Sequence, residues 1–72
     1  MTWSIHIDGE RRRLWTVGPV PLSCLETVCA LARDVCRGDD VVVNAVVAQR
    51  LGASMAFCAR DDSAAWRAEV ER

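Results

Sequence analysis

The sequence predicts an α+β domain that opens with a β-hairpin and continues into helices, and three stretches carry that expectation. Trp3, Ile5 and Ile7 alternate with polar residues ahead of Asp8-Gly9. Leu25 to Cys36 repeats apolar residues at helical spacing, and Asp61-Asp62-Ser63 stands where a final helix would begin. All 72 residues read as one small domain. At this size a domain hides only about 60% of its extended-chain surface on folding.

In the first strand Thr2, Ser4, His6 and Asp8 take the polar side, a period of two with one buried face. Asp8-Gly9 tolerates positive φ and supplies the turn. A three-residue loop sets Trp3 opposite Trp15, and a two-residue loop sets Trp3 opposite Leu14. Gly18-Pro19-Val20-Pro21 ends the second strand, because each proline lacks an N–H and restrains its predecessor. The ββα core is completed by a helix. Ser23 and Glu26 fit a capping box, Gly38 suits the residue after the last turn, and Leu25, Val28, Cys29, Ala32, Val35 and Cys36 make one stripe.

The second half is open between helix and strand. The valines of Val41 to Ala48 favour a strand, yet Asp40 fits a helix cap and Gly52 a helix stop, and the reading leans to helix. Residues 54 to 60 are a short strand or a short helix. Asp61-Asp62-Ser63 caps a last helix that sets Trp66 against Val70.

Composition narrows the function classes. Hydrophobic residues are 51% and charged residues 26%, which is the balance of a folded chain. Surplus apolar surface on so small a domain is best hidden against another chain, so self-association or a partner is expected. The net charge of -1 and pI near 5.7 remove the overall attraction that most nucleic-acid and anionic-membrane binders use. All nine basic residues are arginine, a genome-like bias. No signal peptide or membrane span is read, so a cytoplasmic protein of bacterial or phage origin is expected.

Cys24, Cys29, Cys36 and Cys58 contain no C-x-x-C pair. On a helix Cys29 and Cys36 would lie about 10 Å apart along the axis, too far for one zinc or a disulfide. Core cysteines are the simpler reading, with Cys58 or Cys24 as the alternatives for a reactive thiol. His6, the lone histidine, belongs to the polar side of the first strand. The pairs Asp39-Asp40 and Asp61-Asp62 are read as helix caps. Arg11-Arg12-Arg13 alternates across a strand, where it guards an exposed edge or meets an acidic partner or an anion.

Val47 to Ser54 resembles the middle of a helix-turn-helix, with a small residue four before the turn glycine and a Ser opening the second helix. That resemblance implies a DNA-binding regulator with Arg50 and Arg60 on phosphates and Ser54 near bases. Met55, Ala56 and Phe57 fall where that family places base-reading polar residues. The hairpin, Val17-Gly18-Pro19 and the helix from Ser23 are similar to the start of ubiquitin-like β-grasp domains. A terminal Gly-Gly is absent.

The leading expectation is a non-enzymatic protein-binding module, a homodimer or a subunit or modulator of a complex. It uses no metal or cofactor. Trp3, Arg11, Arg12, Arg13, Trp15 and Trp66 are its candidate contacts, since Trp and Arg anchor interfaces. The DNA-binding regulator with Arg50, Ser54 and Arg60 is the alternative, and an enzyme pairing Cys58 or Cys24 with His6 a distant third.

Overall fold

Residues 2–72 are described by a computed structural model. The predicted hairpin forms, with β1 (Ser4–Asp8) antiparallel to β2 (Arg13–Val17). Its register differs from both expectations. Asp8 pairs with Arg13 and His6 with Trp15, so Trp3 faces neither Trp15 nor Leu14 and the turn has four residues, Gly9 to Arg12. The turn itself gives the reason. Asp8 Oδ1 accepts the Arg11 N–H at 3.1 Å, and Arg12 adopts a left-handed φ of 59°. Asp8 therefore acts as an Asx cap at the end of the strand and not as a central turn residue.

Gly18 leads out of β2 with φ +87°, and a Cβ there would sit 2.4 Å from the Thr2 carbonyl oxygen. Only glycine fits. Gly18→Ala is expected to lower stability by about 1–3 kcal/mol, read as a fall in thermal midpoint; an unchanged midpoint would mean that the strand start lies elsewhere.

Helix α1 (Leu25–Cys36) buries Val28, Ala32 and Cys36, as the stripe predicts. The capping box does not form. Leu22–Cys24 makes a 3₁₀ turn ahead of α1, with the Cys24 N–H donating to the Pro21 carbonyl at 2.9 Å, and α1 receives no side-chain cap. Ser23 lies inside that turn and lacks the extended backbone an N-cap needs. At the far end Arg37 as well as Gly38 is left-handed.

The lean towards helix over residues 41 to 48 is half corrected. Val41–Val43 is a strand, β3, and α2 begins only at Ala45, running to Leu51. Its cap is Asn44, whose Oδ1 accepts the Val47 N–H at 3.1 Å, and Asp39-Asp40 cap nothing. Gly52 closes α2 in the left-handed region, as expected. Met55–Ala59 forms β4, and after a 3₁₀ turn at Arg60–Asp62 the final helix α3 spans Ser63–Val70.

The four strands form one antiparallel sheet in the order β1-β2-β4-β3. Both faces of its middle are covered. Leu14 and Phe57 point to one side and pack with Val28 and Ala32 of α1, while Ala56 and Cys58 point to the other and pack with Val47, Ala48 and Trp66 of α2 and α3. Three layers result. The buried Asn44 also joins α2 to α3, its Nδ2 donating to the Ser63 carbonyl at 3.1 Å. The likeness to a β-grasp ends after α1, because β4 adds beside β2 and leaves β1 at the sheet edge. No helix among the described residues is long and apolar enough to cross a membrane.

Candidate functional site

The three consecutive arginines separate onto three sets of carboxylates. Arg11 in the turn meets Asp8, Arg12 reaches Asp39, and Arg13 alone lies on a strand. Because Asp8 and Arg13 are paired, the Arg13 side chain passes beneath α3, where it is 7% exposed. Its Nε donates to Asp62 at 2.8 Å and its Nη2 to Glu69 at 2.7 Å. The guanidinium carbon also stands 5.1 Å from the Trp66 ring centre. Donating hydrogen bonds to Asp62, then to Glu69, raises the Arg13 pKa, and Arg13 in turn holds the Glu69 carboxyl below its ordinary value.

An aromatic row runs outward from this network. Trp66, 4% exposed, meets Trp15 edge-on at 6.0 Å, and Trp15 carries the His6 ring stacked at 5.6 Å and 12°. Of the six candidate contact residues, Arg13 and Trp66 are thus inside the chain's own fold. Arg11 is exposed, Trp3, Arg12 and Trp15 are half-buried, and the edge-guarding role does not fit the arginines, since none lies on an edge strand.

The helix-turn-helix is not formed. The residues after Gly52 enter β4, so no second helix exists to enter a groove. Ser54 Oγ lies 2.7 Å from Thr16 Oγ1 and its N–H donates to the Thr16 carbonyl, which ties it to β2. Arg60 sits beside Asp40 at 3.8 Å, and Arg50 is exposed near the end of α2. Ser54 and Arg60 flank a strand and not a helix, so the three are not arranged as the helix-turn-helix resemblance implies. The unbroken apolar run Met55 to Ala59 suits a strand whose two faces are both covered.

All four cysteines are free. Cys36 and Cys58 are buried, and burial pushes the Cys58 thiol up to about 11 and raises that of Cys36. At pH 8 a thiol reagent is therefore expected to label Cys24 and Cys29 first and to reach Cys36 and Cys58 only on unfolding; four equally fast thiols would contradict this packing. His6 Nε2 lies 2.9 Å from Ser4 Oγ, an exposed contact in which no carboxylate orients the other ring nitrogen. Among the described residues, no three His, Cys, Asp or Glu side chains gather as a metal site. A shallow groove of about 390 Å³ lies between α1 and β3, floored by Phe57 and Val41 and rimmed by Asp39 and Asp40.

What remains open is the outer edge of β1. The hydrogen bonds Asn44 N–H to Ala56 and Arg60 N–H to the Asp40 carbonyl aim the even residues of β4 at β3. Bonding sides alternate along a strand, so Met55 and Phe57 bond Thr16 and Leu14 of β2. Thr16 and Leu14 consequently aim away from β1, and their opposites Ile5 and Ile7 direct both N–H and C=O to the free edge. Ile7 is 51% exposed. The opposite edge, β3, has three residues and is blunted by its length. Position 7 was read from the sequence only as a core residue. The signal for its true place was the run Arg13 to Thr16, whose lack of a clean polar face marks β2 as an interior strand and its neighbour as a candidate edge.

The chain matches no protein-family model, no curated protein and no solved structure at a significant level.

Proposed function

We propose that this chain is a non-enzymatic protein-binding module whose contact surface is the outer edge of β1 together with Trp3 and Ile7. One observation carries the reading: a five-residue edge strand with alternate apolar side chains has no lysine, arginine or proline along it. Edge strands without such protection add strands from another polypeptide, gaining main-chain hydrogen bonds and apolar cover together. The neighbouring charges do not guard it, because Asp8 is held by Arg11 and Arg13 is turned inward.

Recovery of the tagged full chain from its native cells, beside an Ile7→Lys variant, tests the reading. Ile7 is half exposed, so the substitution is expected to lower folding stability by no more than about 1 kcal/mol, while bound polypeptide, foreign or a second copy, falls at least about tenfold. Equal recovery of polypeptide by both forms would overturn it.

A further inference from the structure

The edge strand also specifies what it best accepts. Resting on the β1 edge as a protein-contact surface, we infer that its partner is a second copy of this chain, added antiparallel across a two-fold axis at Ile5. About that axis Ile5 lies opposite its own copy and Trp3 opposite Ile7, while Ser4 lies opposite His6 on the other face. Every apolar side chain of the strand meets an apolar one, and every polar side chain a polar one.

Charge sets the orientation. Asp8 is the only carboxylate on β1, and antiparallel pairing moves the two Asp8 carboxylates to opposite ends, where parallel pairing would place them side by side. Main-chain geometry agrees, since Ile5 and Ile7 present N–H and C=O outward in register for such a ladder. The axis stands perpendicular to the sheet, so both α1 helices lie on one side of an eight-strand sheet. They do not obstruct it, because α1 packs over β2, β4 and β3. The two-fold contact closes on itself and leaves only the short β3 edges outside, so assembly stops at the dimer.

Sedimentation equilibrium of the purified full chain, from about 1 to about 200 µM, decides it. The mass is expected to rise from 8.0 kDa towards twice that value. Ile7→Lys and Ile7→Pro should each raise the dissociation constant at least about tenfold, while Val43→Lys on β3 leaves it unchanged. The proline removes an outward N–H that β2 does not use, so the hairpin keeps its ladder. Should either variant fail to fold, amide exchange on the native chain serves instead: the Ile5 and Ile7 amides slow as concentration rises. A chain that stays at 8.0 kDa throughout, or a dimer indifferent to both substitutions with fast Ile5 and Ile7 amides, overturns the two-fold pairing. A monomer that still holds a foreign polypeptide in an Ile7-dependent way leaves the contact surface standing and removes only the second copy.

Discussion

Trp66→Ala is expected to cost about 4 kcal/mol, a fall of about 25 °C in thermal midpoint for a chain of this length. Trp66 is the one large side chain through which α3 grips the sheet, packed with Ala56 and Cys58 and with Val47 of α2. Removing it opens a cavity, takes away the edge-on contact with Trp15 and uncovers the Arg13 guanidinium. Domains of this size hold about 4–11 kcal/mol in all, so the variant should be partly unfolded at room temperature by circular dichroism. A fall under about 1 kcal/mol would mean that α3 is dispensable to the core.

Arg13→Met separates charge from packing, since methionine keeps an apolar stem near Trp66 and loses the donors. A loss of about 2–3 kcal/mol at neutral pH is expected. The figure stays at that level because Asp62 and Glu69, 25% and 44% exposed, regain water when the guanidinium goes. Acid supplies the check. The Glu69 pKa is lowered from 4.5 by Arg13, so its stabilisation is present above that value and is lost as pH falls through the folded pKa. The difference in thermal midpoint between native chain and variant should therefore narrow from pH 6 towards about pH 3. A constant difference would show that Arg13 acts by packing alone.

The local parts of the fold were legible because their causes are local. The α1 stripe, the Gly52 stop and the opening strand each follow from spacing within a dozen residues. The hairpin register was not legible. On β2 both faces are covered, so the alternation that would have fixed the pairing is missing, and the decisive bond is a side-chain cap from Asp8 to Arg11. Asn44 escaped notice for a similar reason: Asp40 has the same chemistry four residues earlier, and only the pairing of Val41–Val43 with β4 shows which one caps.

The candidate site was legible in kind and not in place. Trp and Arg drew attention as interface residues, yet Arg13 finds its carboxylates 49 and 56 residues away, and Trp66 is buried by strands that no nearby residue announces. Ile7, half exposed at the edge, looked from the sequence like its half-buried neighbour Ile5. Burial in a sheet depends on strand order, and strand order is set by long-range pairing.

A photoreactive amino acid placed at position 7 of the full chain in its native cells, with position 67 on exposed α3 as the comparison, tests the β1 edge as contact surface most directly. Efficient cross-linking to a polypeptide from position 7, and none from position 67, is the predicted result. No cross-link from position 7, or equal yields from both, would contradict it.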